Sequence, residues 1–315
     1  MTQTTQAILI SLAQGLLLLT VAPLVTGVIR KVKARLQGRV GAPLLQGYRD
    51  ILKFIRKDAV VSDVTSWVFK LAPYMVFGTT ATAAFLLPNV TNLGAQADMI
   101  FVGFILVLGT AFLVLSGLDA GTTFGGMGSS REAMISALAE PVFITALFAL
   151  ALTGGSTYPG EIISHVLGTP HAWLDPALIL VFLSFFLITL AENARYPFDN
   201  PTTHLELTMV HEAMILENSG KNLALMEIGS MTKLTVMLSI LASLVVPWGM
   251  ATEWTLSAVL LGTVLWLGKV FILAILIALV ESSMAKMRLL RVPALLGMGW
   301  VVAMIALVTQ LFASL

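Results

Sequence analysis

Cysteine is absent from the 315 residues, so the chain has no disulfide, no thiolate nucleophile and no sulfur ligand for an iron-sulfur cluster or thiolate zinc site. Any electron-carrying centre that works with it is expected on a partner. Charge is scarce as well: charged residues make up 11% against 57% hydrophobic, and the mean hydropathy is +0.93. A water-soluble globule of this length lacks the polar surface to cover so much apolar material, so the composition specifies an integral membrane protein. The N-terminus lacks a basic start and a small-residue cleavage site, and the first apolar run is read as a retained span. Nothing in the composition calls for a nucleic-acid partner.

A third scarcity is positional. Eight apolar segments, about 7–29, 67–87, 100–118, 133–153, 173–190, 234–247, 254–280 and 294–315, are read as membrane spans of an all-α fold, since a spanning helix needs roughly 20 apolar residues. The sixth reaches that length only if it begins nearer Met226. Lys and Arg are missing from every second connection. Arg30, Lys31, Lys33, Arg35, Arg39, Arg49, Lys53, Arg56 and Lys57 crowd into the first, and Arg131, Arg195, Lys221, Lys233, Lys286, Arg288 and Arg291 occupy alternate later ones. A cation excess marks the cytoplasmic side, which places both termini outside and makes the bilayer itself a partner. The whole chain is read as one transmembrane domain with two large cytoplasmic loops, about 30–66 and 191–230. No inverted internal repeat of a secondary transporter stands out.

The first large loop interleaves its cations with Leu36, Leu44, Leu45, Ile51, Leu52, Phe54 and Ile55, and the stretch 50–57 has helical spacing. That pattern suits an amphipathic helix on the membrane surface or under a soluble partner. Gln37, Gln46, Gly38, Gly41 and Gly47 favour a folded loop over a plain lipid anchor.

Charges at membrane depth are costly and mark functional candidates. Glu140 lies about two turns into the fourth expected span, beside Pro141, where an acid next to a kink can exchange protons with trapped water. Lys269 lies deep in the seventh and needs an acidic partner, for which Glu140 is the natural candidate. Asp119, Glu132, Glu192, Glu227 and Glu281 all fall at inner ends of spans. Taken singly each suits a solvated position; as a set they could outline a polar cavity entered from inside. The segment from Gly117 to Glu132 carries five glycines and reads as a compact partner-contact loop, with Ser129 or Ser130 capping the next helix. It lacks the Gly-Lys-Ser/Thr ending of a phosphate loop. His204 and His211 are seven apart with Glu212 adjacent; the spacing is not His-Glu-x-x-His, and no metal site is assigned.

Two ordered motifs carry a family resemblance. Arg35-Leu36-Gln37-Gly38-Arg39-Val40-Gly41, continuing to Leu45-Gln46, Asp50 and Lys53, resembles the first inner loop of subunit one of respiratory complex I. Glu192-Asn193-Ala194-Arg195-Tyr196-Pro197-Phe198-Asp199 resembles that family's signature after its fifth helix. The stretch Gly41 to Gln46 is shorter than in complex I subunits, and Thr202 and His204 replace two of the signature's glutamates, leaving Glu206. The run from Ser116 to Glu140-Pro141 instead resembles the membrane anchor of group 4 nickel-iron hydrogenases, the formate hydrogenlyase type.

The resemblance implies a scaffold that performs no bond-breaking step itself. It holds the hydrogenase large and small subunits and an iron-sulfur subunit, which carry the nickel-iron centre and clusters, and links them to antiporter-like membrane subunits. Arg35, Gln37, Arg39, Gln46 and Asp50 would dock the soluble arm. Asp119, Arg131, Arg195 and Asp199 would line the cavity, and Glu140, Glu192, Glu206, Glu212 and Lys269 would take proton-linked roles. A quinone-binding complex I subunit and a stand-alone ion transporter are the alternatives. The expected location is a bacterial or archaeal cytoplasmic membrane.

Overall fold

Each long apolar run becomes a helix, because in hydrocarbon every backbone amide must be satisfied within its own segment. The computed structural model describes residues 3–94, 96–169, 175–199 and 209–313, and these contain eleven α-helices and no strand. They are α1 (Gln3–Leu36), α2 (Gln46–Ile55), α3 (Trp67–Leu86), α4 (Met99–Asp119), α5 (Thr123–Gly154), α6 (Pro159–Gly168), α7 (Pro176–Glu192), α8 (His211–Ile215), α9 (Gly220–Ile240), α10 (Leu256–Ser283) and α11 (Val292–Ala313). A π-helical turn, Leu241–Val245, prolongs α9.

Six of the described helical stretches are long and apolar enough to cross a membrane: Thr5–Leu36, Met99–Asp119, Thr123–Gly154, Gly220–Val245, Leu256–Ser283 and Leu289–Phe312. The expected count of eight is not reproduced by that measure. Helix α3 carries Lys70, Pro73 and Tyr74 and a threonine-rich second half, and α7 has only 17 residues, which leaves both outside that set. The sixth expected span starts at Gly220, well before residue 234, which turns Lys233 from a loop residue into one deep inside a helix.

Hydrogen bonds between connections sort the chain into two faces. On one, Val60 N and O engage Ser219 Oγ at 2.8 and 2.9 Å, Ser66 N donates to Asp119 at 2.9 Å, and Met287 N donates to Pro197 O at 3.0 Å. On the other, Ala251 N donates to Val90 O at 3.0 Å, Asn92 bonds Gly160 O at 3.0 Å, and Gln310 bonds Asp175 at 2.8 Å. The cation-rich loops all belong to the first, hereafter the charged face. Helix α1 is about 50 Å long at 1.5 Å per residue, so its C-terminal surplus carries Arg30 to Arg35 beyond a hydrocarbon layer of roughly 30 Å.

Two expectations about local structure change. The glycine-rich stretch after Asp119 is helical from Thr123, and its cap is Thr122, which accepts from Gly125 N at 3.2 Å, rather than Ser129 or Ser130. Two of its glycines serve close packing, while Gly121 turns the chain at a φ of 66°: a Cβ at Gly128 would sit 2.8 Å from Val210 O, and one at Gly125 would sit 2.5 Å from Gly117 O. Lipid gives apolar helices no hydrophobic reason to associate, so small residues at contacts supply the packing. The amphipathic helix α2 turns Ile51 and Gly47 against Ala22, Pro23 and Met231, while Leu45, Leu52 and Ile55 stay exposed.

Candidate functional site: a buried acidic path

Three adjoining cavities run inward from the charged face. The outermost is an open basin of about 500 Å³ between the end of α1 and the turn after it, lined by Arg30, Lys33, Gln37, Arg39 and Tyr196. Lys33 Nζ lies 4.5 Å from the centre of the Tyr196 ring. Arg30 and Lys33 also border the second cavity, about 120 Å³, which adds Thr26, Asn193, Arg195, His211, Glu212, Glu227, Ser230 and Glu281. Asn193, His211 and Ser230 in turn form the wall shared with the innermost cavity, about 30 Å³. Its polar lining is Thr80, Thr110, Glu132, Glu192 and Lys233. Volumes of this size hold a water or two innermost and several in the middle chamber.

Buried charges survive only when paired, and three of the four ion pairs among the described residues meet this path. Glu281, nearly inaccessible, takes Lys33 at 2.9 Å and Arg195 at 3.3 Å. Lys233 Nζ lies 2.7 Å from Glu192 Oε2 and 2.8 Å from Thr110 Oγ1, so α4, α7 and α9 meet in one polar contact. Glu132 is 3% exposed and its Oε2 has no partner. An unpaired buried carboxylate is expensive, so a proton or water belongs there.

The segment after α7 positions His211. Ala194 adopts a left-handed φ of 48°, the Tyr196-Pro197 bond is cis, and Phe198 and Asp199 are buried. Asp199 pairs with Lys286 at 2.6 Å and accepts from Val210 N and His211 N at 3.2 and 3.3 Å, capping α8. Arg131 donates to Met209 O at 3.1 Å and braces the approach to α8 from α5. Burial pushes the His211 imidazole down to about 4, Asp199 opposing and Lys233 and Arg195 adding to the effect. Burial, reinforced by Glu227 and opposed by Arg30, lifts the Glu212 carboxyl to about 7. Near neutrality a neutral imidazole therefore stands beside an acid that readily takes or gives a proton.

The expected residues divide accordingly. Glu192, Glu212 and Arg195 line the path, and so do Glu132, Glu227 and Glu281, of which Glu281 is buried and doubly paired rather than solvated. Arg131 and Asp199 brace it without bordering the cavities described. Asp119 stands apart, accepting from Ser66 N and Phe69 N at the start of α3. Glu140 is half-buried on α5, two turns beyond Glu132, with Ser136 between them and its buried hydroxyl unpartnered. Glu140 and Lys269 do not pair. Lys269 Nζ bonds the carbonyls of Ala242, Val246 and Trp248 at 2.9, 2.7 and 3.2 Å, because the π-turn leaves carbonyls open that a cation satisfies. Glu206 and His204 lie outside the described residues. Arg35, Gln37 and Arg39 are exposed at the tip of α1, Arg39 bonded to Gln37, while Gln46 and Asp50 bond each other at 2.8 Å on α2. No group of His, Asp and Glu among the described residues is arranged to hold a metal.

In the charge map Lys233 and Lys33 are topology markers only. The depth rule that singles out Lys269 also finds Lys233 once α9 is begun at Gly220. Nothing in the sequence announces that Lys33 crosses to Glu281, 248 residues away.

The fold and this path define a multi-pass helical membrane protein with ionisable groups threaded from one face into its interior. Residues 8–315 match the NADH dehydrogenase family, and the chain belongs to it. It is 35% identical over 310 residues to formate hydrogenlyase subunit 4 of Escherichia coli (strain K12), covering 98% of this chain and all of that one. It is 33% identical over 303 residues to hydrogenase-4 component C of the same organism, covering 95% and 94%. An NADH-quinone oxidoreductase subunit of Rubrobacter xylanophilus is 26% identical over 238 residues, 72% of this chain and 71% of that one. Among solved structures, a chain of the membrane-bound sulfane sulfur reductase, an archaeal respiratory membrane complex, shares the fold, with a TM-score of 0.81 at 18% identity over 97% of this chain and 99% of that one. The resemblance to complex I subunit one, and within it to the formate hydrogenlyase branch, is borne out.

Proposed function

We propose that the chain is the membrane scaffold of a formate hydrogenlyase-type nickel-iron hydrogenase complex, passing the effect of hydrogen chemistry on a soluble arm into proton movement within the membrane. One observation carries this reading: three adjoining cavities with shared walls place ionisable groups from the exposed loop around Arg39 past Glu212 and His211 to the Lys233–Glu192 pair and Glu132. From there Ser136 and Glu140 continue along α5 to its half-exposed side, where an antiporter-like membrane subunit would stand. The full-length similarity to formate hydrogenlyase subunit 4 supports the choice of complex. Loop 30–66, through Arg35, Gln37, Arg39, Gln46 and Asp50, is the docking surface for the large, small and iron-sulfur subunits, which carry the metal centres. Asn193, Arg195, His211 and Glu212, in the segment after α7, respond to them from the cavity wall. The charged face is cytoplasmic, in the inner membrane, with both termini outside.

The quinone-reducing alternative has the weaker support. The basin where a quinone would enter is rimmed by Arg30, Lys33 and Arg39, and similarity to quinone-linked relatives is lower and shorter. Purification of the tagged chain from its native membrane distinguishes them. Co-isolation of nickel and hydrogen-evolving activity is expected; recovery with an NADH-oxidising, quinone-reactive module and no nickel would reject the proposal.

A further inference from the structure

A second set of buried polar atoms lies on the opposite half of the molecule, beyond the path just described. Asn89 is 0% exposed, yet neither its side-chain oxygen nor its side-chain nitrogen has a partner. Its backbone is fixed from α1: Gln14 Oε1 accepts from the amides of Asn89, Val90 and Thr91 at 2.9, 2.8 and 3.2 Å. Ser243, in the π-turn, reaches the Asn89 carbonyl only at 3.4 Å. Ser239, one turn earlier on α9, is 0% exposed with an unpartnered hydroxyl.

Helix α10 closes the same region. Gly262 lets the loop backbone approach, since a Cβ there would lie 3.1 Å from Val90 O. One turn on, Trp266 is 1% exposed and its indole N–H donates to nothing. One further turn on, Lys269 holds the carbonyls at the π-turn. Native proteins seldom leave several buried donors and acceptors unpaired in one place; where they do, ordered water commonly completes them.

Helix α9 runs from this region back toward Lys233. Thr232 and Ser239, seven apart, share one face of α9, and Ser243 follows four residues on in the π-turn; Thr232 also has an unpartnered buried hydroxyl and precedes Lys233 directly. About 16 Å separates Thr232 from Ser243 along the axis at 1.5 Å per residue.

We propose that Asn89, Trp266 and Ser239 enclose a water cluster, and that the hydroxyl stripe of α9 joins it to Lys233 as this chain's own proton outlet to the far face. This extends the reading above, which moves protons only sideways toward membrane partners. The hydroxyls accept and donate in turn, so an excess proton advances by exchange of hydrogen bonds along water, with no net change in the side chains.

The test uses the intact complex in lipid nanodiscs. Radiolytic hydroxyl-radical labelling followed by mass spectrometry reports water in contact with Trp266 despite its burial. Oxidation of Trp266 well above that of buried Phe185 is expected, and Asn89→Leu should lower it at least roughly threefold by removing the water's partners. Protons released on the far side per hydrogen turned over, measured in sealed membrane vesicles, should fall in Asn89→Leu and in Ser239→Ala. The second variant deletes only an unpaired hydroxyl, so it should assemble even if the first does not. A Trp266 as unreactive as Phe185 overturns the proposal, as does unchanged proton release in Ser239→Ala. Lys233→Met separates the two levels: if it alone stops proton movement, the outlet is wrong and the inner path stands; if none of the three has an effect, both fail.

Discussion

Lys233 and Glu192 are held 2.7 Å apart at the meeting of three helices, with Glu132 in the same small cavity and no cation of its own. One lysine thus faces two buried acids, an arrangement in which a proton can move from one carboxylate to the other without either leaving the protein. Removing one member should expose the other. Glu192→Gln or Lys233→Met is expected to destabilise the purified complex by roughly 3–5 kcal/mol, and the double variant by less than the sum of the two. Thermal unfolding of the four species in one detergent measures it.

Glu212 and His211 give stability opposite dependences on pH. A carboxyl raised from 4.5 to about 7 binds more protons folded than unfolded between those values, so its contribution declines as pH rises through that window. An imidazole lowered from 6.5 to about 4 binds fewer protons folded than unfolded between those values, so its contribution grows with rising pH there. Glu212→Gln should therefore flatten the loss of stability between about pH 5 and 7, and His211→Gln should relieve a penalty near pH 5. Melting temperatures across that range, compared with the unaltered chain, show whether the slopes change in these senses.

Lys269 is expected to matter for assembly. Lys269→Met strands three carbonyls at the π-turn and should lower the yield and stability of the complex, by about 1–3 kcal/mol. Glu140→Gln strands nothing and should assemble normally while reducing proton movement. A Lys269→Met complex with unaltered melting behaviour would remove the capping role assigned here.

The contrast between these two residues shows what the sequence alone makes legible. Helix existence follows from apolar run length, and the sidedness of the loops follows from where cations are missing. The acids Glu132, Glu192 and Glu227 are legible as a set at one depth. Partnership is not: Lys33 finds Glu281 and Lys286 finds Asp199 through tertiary packing that leaves no periodic trace. The rule that buried cations need anions points Lys269 toward an acid, whereas helix-end carbonyls supply the negative charge. The glycines near residue 125 look like a loop because glycine spacing alone does not distinguish turning from close helix packing.

Arg35 and Arg39 stand exposed at the tip of α1 and make no ion pair among the described residues. Arg35→Glu with Arg39→Glu should leave insertion intact and weaken retention of the soluble arm, more so at high ionic strength, where screening removes what attraction remains. The ratio of soluble to membrane subunits after purification at low and high salt reads this out.

On the proposed function, the Lys233–Glu192–Glu132 cavity carries protons driven by chemistry outside this chain. Its most direct test is the number of protons moved per hydrogen turned over in sealed native membrane vesicles containing Lys233→Met. Hydrogen turnover should persist while the proton count per hydrogen collapses toward zero; an unaltered ratio would contradict the claim.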